Sequence, residues 1–134
     1  MKILIVEDEK GISDFLKQGL EEESYEIIVA SDGLSGLDLA ITNKPDLILL
    51  DWMLPKMSGI EVCKEFRKTD SKTPIIFLTA KDTIQETIEG LKSGANDYIK
   101  KPFSFEELLE RIKIHFRTID EVKQLVLSNI KVDL

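Results

Sequence analysis

Cysteine, histidine and tryptophan each occur once in this chain. No apolar run approaches the ~18 residues that a membrane span requires. The lone Cys63 excludes an internal disulfide and a cysteine-rich zinc site, and a reducing, cytoplasmic setting is expected. On an apolar helical face, Cys63 reads as a small core residue rather than a nucleophile. His115, the lone histidine, reads as a helix surface residue rather than a phosphotransfer site. A basic excess is missing too. There are 18 Lys and Arg against 25 Asp and Glu, a net charge of −7, which opposes direct nucleic-acid binding by these residues. Met1-Lys2-Ile3-Leu4 enters a strand pattern at once, without the longer apolar region of a signal peptide.

What is present is a 134-residue chain, 43% hydrophobic, which suits one globular domain with a real core. Five short apolar runs predict strands: Ile3–Val6, Glu26–Val29, Leu47–Leu50, Ile75–Leu78 and Asp97–Ile99. The first, third and fourth are continuously apolar, as strands covered on both faces are. Between them lie stripes at helical spacing: Ile12, Phe15, Leu16, Leu20; Leu34, Leu37, Ala40, Ile41; Ile60, Cys63, Phe66, Arg67; Ile84, Ile88, Leu91, Ala95; and Phe105, Leu108, Leu109, Ile112, Phe116. Asp32-Gly33, Thr73-Pro74, Ser93-Gly94 and Pro102-Phe103-Ser104 supply turn and cap signals. Five alternating units predict an α/β fold: a parallel sheet with right-handed crossovers and helices on both faces.

Parallel strands all point one way, so Glu7, Asp8, Asp51, Thr79 and Lys101 are expected at one edge of the sheet. In a doubly wound order 2-1-3-4-5, the first and third strands flank the switch point where ligands bind. Asp8 and Asp51 then become neighbours. Carboxylates brought together repel unless a cation or phosphate chemistry needs them there. Mg²⁺, a hard cation, suits Asp8 and Asp51, with Glu7 placed to hold a metal-bound water. Asp51 could then act as a carboxylate nucleophile toward a phosphoryl donor. Lys101 would bring an ammonium, and Thr79 a hydroxyl, to the phosphoryl oxygens. Taken singly, each residue has a plainer reading: an acidic helix start, a cap, a surface lysine. The coincidence of all of them at separate strand ends favours the chemistry.

Glu7-Asp8, Asp51-Trp52-Met53-Leu54-Pro55 with Gly59, Leu78-Thr79-Ala80, and the run from Gly94 to Phe103 resemble the receiver domain of bacterial response regulators, over residues 1 to about 120. That resemblance implies the flavodoxin-like (βα)5 fold. It makes Asp51 the phospho-acceptor and a sensor histidine kinase the donor. It has Glu7, Asp8, Asp51 and the backbone carbonyl of Met53 holding Mg²⁺. It implies a cis peptide at Lys101-Pro102. It implies a switch in which Thr79 moves toward the phosphoryl group and Tyr98 turns inward, and Lys81 and Met53 setting the phosphoryl lifetime. Trp52 is expected to shield the site edge by packing. Such a domain is no metabolic enzyme; it catalyses only its own phosphorylation and slow dephosphorylation.

The segment from Lys101 onward resembles the OmpR/PhoB winged-helix subfamily, which dimerises through its fourth-helix/fifth-strand/fifth-helix face. Asp97, Glu107 and Arg111 match that pattern, whereas Thr87 stands where a basic residue is usual and Asn96 where an acidic one is. Residues 121–134 are expected to be a linker and the start of a C-terminal effector domain, because Ser128 to Leu134 alternate as a half-exposed strand would. DNA would be met only through that further domain. Two rival chemistries fit less well. An Asp-nucleophile phosphatase of the haloacid-dehalogenase type wants a second Asp where Met53 stands, and Glu7-Asp8-Glu9 would repel a flavin phosphate. A stand-alone receiver is the remaining alternative, which the strand-like tail argues against.

Overall fold

The structure, a computed structural model, describes residues 1–117. Strands β1 (Lys2–Val6), β2 (Glu26–Ala30), β3 (Leu47–Leu50), β4 (Ile75–Thr79) and β5 (Asp97–Lys100) alternate with helices α1 (Lys10–Glu22), α2 (Gly33–Asn43), α3 (Gly59–Arg67) and α4 (Ile84–Lys92). The strands form one parallel sheet in the order β2-β1-β3-β4-β5, which is the doubly wound order expected. β4 and β5 each run one residue further than the apolar pattern suggested. Thr79 is therefore the last residue of β4, paired with Lys100. The cis peptide lies at Lys101-Pro102.

Successive strand residues point to opposite faces. Leu4, Val6, Ile48, Leu50, Ile75 and Phe77 share one face, where they form a core with Ala40 of α2 and Ile60, Cys63 and Phe66 of α3. Ile3, Ile5, Leu47, Leu49, Ile76 and Leu78 occupy the other, and are also buried. β1 and β3 are buried on both faces, which is why they read as unbroken apolar runs.

On α3 the expected stripe of Ile60, Cys63 and Phe66 is buried; the other helices follow theirs only in part. On α1 the buried residues are Ser13, Leu16 and Leu20, while Phe15 is 56% exposed. On α2 they are Gly33, Gly36 and Ala40, with Leu34 and Ile41 outside. On α4 only Gly90 is buried. The physical reason is size. α2 and α4 sit where their glycines let the backbone come close, and hydrophobic spacing does not register that.

The chain divides after Phe103 into two units. In the second, residues 105–117 are helical (α5). Its start is capped by the Ser104 hydroxyl, which accepts from the Glu107 N–H at 3.4 Å. Glu107 and Arg111 pair one turn apart at 3.5 Å, and His115 is half-buried on it rather than fully exposed. The expected extension of the helix toward Leu125 and the strand-like Ser128–Leu134 run lie outside the described residues.

Candidate functional site

Register brings the acidic residues together. Val6 of β1 pairs with Leu50 of β3, and the ladder continues past both, since the Asp51 N–H donates to the Val6 carbonyl at 3.1 Å. The next residues on β1's side are Glu7 and Asp8. Glu7, Asp8 and Asp51 each offer a carboxylate oxygen, and these oxygens lie within 4.8 Å of one another. Glu7 and Asp51 are buried; Asp8 is exposed.

Lys101 closes the site from β5's side. Its Nζ lies 2.5 Å from Glu7 Oε1 and 3.2 Å from Asp51 Oδ2. Burial alone would lower the lysine's pKa, but the hydrogen bond to Glu7 and the charge of Asp51 outweigh it and raise it. The Glu7 pKa is raised as well, but here by burial itself. Burial pushes its pKa up to about 7; the Lys101 hydrogen bond opposes this without cancelling it, and the Asp51 charge adds to the rise. Two carboxylates thus face each other with one ammonium between them. A cluster of hard oxygen donors carrying surplus negative charge fits a divalent cation such as Mg²⁺.

Thr79 is fully buried at the end of β4, and its hydroxyl accepts from the Lys81 N–H at 3.3 Å. Met53 follows Asp51 by two residues. Its N–H reaches Asp51 Oδ1 at 3.4 Å, and its side chain is 62% exposed.

A model of the response regulator receiver domain matches residues 3–113. The chain belongs to this family. The transcriptional regulatory protein YkoG of Bacillus subtilis is 51% identical over 115 residues, which cover 86% of this chain and 50% of YkoG. The transcriptional regulatory protein DltR of Streptococcus agalactiae is 44% identical over 135 residues, covering 99% of this chain and 60% of DltR. This chain thus spans about half to three-fifths of the length of those relatives. Among solved structures, the receiver domain of the Francisella response regulator 1452 matches with a TM-score of 0.84 and 43% identity, over 88% of this chain and 98% of that one. The BeF3-activated receiver domain of Klebsiella pneumoniae RstA matches with a TM-score of 0.83 and 33% identity, over 87% and 99%. Receiver domains are signalling modules that generally bind Mg²⁺ at an acidic pocket, and in this chain Glu7, Asp8 and Asp51 form an acidic cluster.

Tyr98 lies inward in this receiver domain. Its ring sits 6.0 Å from the Phe77 ring and over Gly90, where an added Cβ would stand 3.0 Å from it. Its hydroxyl donates to the Lys81 carbonyl. Burial, then the charges of Glu86, Asp82 and Asp51, push the phenol's pKa up to about 12, so the hydroxyl remains a donor at neutral pH. Tyr98→Phe is expected to lower unfolding stability by about 1 kcal/mol, read by urea denaturation, because one hydrogen bond is lost while the ring still packs.

Sequence reasoning missed two arrangements. Lys81 Nζ lies 5.8 Å over the Trp52 ring and 3.1 Å from Glu86 Oε2, so a charge on α4 holds the lysine beside the site. Trp52 packs against the core and 5.8 Å from Phe77. The other arrangement is a clamp on the loop before β5. Arg67 donates to the Gly94 carbonyl at 2.9 Å, the Asp70 carbonyl at 3.2 Å and the Asn96 side chain at 2.9 Å. The same Asn96 oxygen accepts from the Ile75 N–H at 2.9 Å. One side-chain oxygen thus joins α3, the loop before β5 and the start of β4. The dimer-pattern residues Asp97 and Glu107/Arg111 fall on β5 and α5 respectively.

Proposed function

We propose that this chain is a phosphorylation-operated switch in which Asp51 accepts a phosphoryl group from a sensor histidine kinase and so controls a DNA-binding transcription regulator of the OmpR/PhoB kind. The convergence of Glu7, Asp8, Asp51, Thr79 and Lys101 at one sheet edge carries this reading. The Asp51 carboxylate attacks phosphorus and forms an O–P bond, the donor's N–P bond breaks, and its electron pair returns to the imidazole nitrogen of the kinase. Glu7, Asp8, Asp51 and the Met53 carbonyl would hold Mg²⁺, which neutralises charge on the transferring group. Lys101 exchanges its contact with Asp51 for a phosphoryl oxygen, and the Thr79 hydroxyl takes another. Water later attacks the acyl phosphate slowly, at a rate to which Lys81 and Met53 contribute.

Thr79 and Tyr98 carry the signal outward. On this reading the phosphoryl group raises the population of the arrangement in which Tyr98 packs inward. The face made by α4, β5 and α5, with Asp97, Glu107 and Arg111, pairs two phosphorylated copies. Surface pairs contribute about 0–1 kcal/mol each. Residues 1–120 form the receiver and residues 121–134 lead toward an effector domain. A small acyl phosphate with Mg²⁺ is expected to add one hydroxylamine-labile phosphoryl group per chain, read by intact mass. A wild-type chain that takes none would end this reading.

A further inference from the structure

The first turn of α2 touches both segments that carry the acidic cluster, and it does so through glycines. Gly36 faces β1: a Cβ there would stand 2.6 Å from Val6 Cγ1, and Val6 is the residue before Glu7-Asp8. Gly33 faces the loop between β3 and α3: a Cβ there would stand 1.8 Å from the Met57 carbonyl oxygen and 2.6 Å from its carbon. That obstruction is backbone, which cannot swing aside as a side chain can.

The loop is tied to this turn as well as packed on it. The Gly33 N–H donates to the Pro55 carbonyl at 3.1 Å, and the Met57 N–H donates to the same carbonyl at 2.8 Å. Lys56, between them, has φ 70°, a left-handed conformation that a residue with a Cβ holds only when its surroundings impose it. Its ammonium lies 3.8 Å from Asp32 Oδ2. Asp32 in turn is fixed as the cap of α2, accepting from the Ser35 N–H at 2.8 Å and the Ser35 hydroxyl at 3.0 Å. The far end of the loop returns to its start, where the Gly59 N–H donates to the Trp52 carbonyl at 2.8 Å.

On the reading that this cluster takes Mg²⁺, we propose that Asp32 and Gly33 are positioning residues for the metal site. They touch no ligand oxygen of the carboxylate cluster. They set the path of residues 51–58, and through it the placement of Asp51 and the Met53 carbonyl against Glu7 and Asp8. Groups that orient ligands from behind typically account for about 10- to 100-fold in metal affinity.

The test is calorimetric Mg²⁺ titration of the whole chain, alongside the fluorescence of its single tryptophan, Trp52, and phosphoryl incorporation at saturating Mg²⁺. Gly33→Ala is expected to weaken Mg²⁺ binding about tenfold or more, while incorporation at saturating Mg²⁺ still reaches one per chain. Gly11→Ala, where an added Cβ meets nothing within 4 Å, is expected to bind as wild type. A folded Gly33→Ala with wild-type affinity overturns the proposal, as does an equal loss in Gly11→Ala. Should Gly33→Ala fail to melt cooperatively, Asp32→Ser decides. It keeps a capping oxygen but loses the Lys56 pairing, and is expected to weaken Mg²⁺ about two- to fivefold; unchanged affinity overturns the proposal. A wild-type chain that binds no Mg²⁺ overturns the functional reading itself. Wild-type binding with unaffected variants overturns this inference alone.

Discussion

Asp51→Asn will take up no phosphoryl group under conditions in which the wild type takes one per chain. The amide keeps the shape of the carboxylate and loses its nucleophilic charge, so the rate should fall at least about 10⁴-fold, as removal of a nucleophile does elsewhere. Intact-mass analysis after exposure to a small acyl phosphate with Mg²⁺ reads this directly, and full incorporation into the variant would defeat the assignment. A second consequence separates this loss from misfolding. Asp51 is one of the charges that hold the Glu7 pKa up, and two carboxylates share the single Lys101 ammonium. Removing one of them relieves repulsion in the metal-free protein. Asp51→Asn should therefore melt no lower than the wild type without Mg²⁺, and should gain less on adding Mg²⁺.

The sheet was legible because it is written in unbroken apolar residues. Ile3–Val6, Leu47–Leu50 and Ile75–Leu78 are buried on both faces, as strands of a parallel sheet between helices are. From their order and handedness followed the adjacency of Glu7-Asp8 and Asp51, which the Val6 and Leu50 pairing shows. Helix orientation was less legible. Spacing placed Phe15, Leu34 and Ile84 on core stripes, yet all three are exposed; for α2 and α4 the reason is that they approach the sheet through Gly36 and Gly90. Side-chain ties across distant segments left no periodic trace at all. Arg67 with Asn96, and Lys81 with Glu86 and Trp52, involve residue types common on any surface. Asn96 drew notice only as a departure from an expected acidic residue, and its Oδ1 accepts from both Arg67 and the Ile75 N–H, a role a carboxylate could also fill. An inward Tyr98 was implied by the resemblance, but the Gly90 beneath its ring that leaves room for it was not foreseen.

Chelating Mg²⁺ should cost the phosphorylation rate about 10³-fold. Charge stabilisation by a bound metal is worth several kcal/mol, and about 1.36 kcal/mol corresponds to a factor of ten. The pH dependence of metal binding gives a finer test, because Glu7 competes for protons. Its pKa rises from an ordinary 4.5 to about 7 on folding, chiefly through burial. The group holds its proton more tightly folded than unfolded, so its contribution to metal-free stability is full below 4.5 and is lost as pH rises through 7. Metal binding runs the opposite way, since a cation is best received by the ionised carboxylate. Mg²⁺ affinity should climb by up to about tenfold per pH unit as pH approaches 7, then level off. The rise in melting temperature on adding Mg²⁺ should accordingly be larger at pH 8 than at pH 6, and the reverse order would contradict this account of Glu7. Glu7→Gln isolates the cause. With no proton to lose at that position, the variant should bind Mg²⁺ more weakly at pH 8 and show little change in affinity between pH 6 and 8. Were the slope to persist in Glu7→Gln, the competing proton would belong to another group.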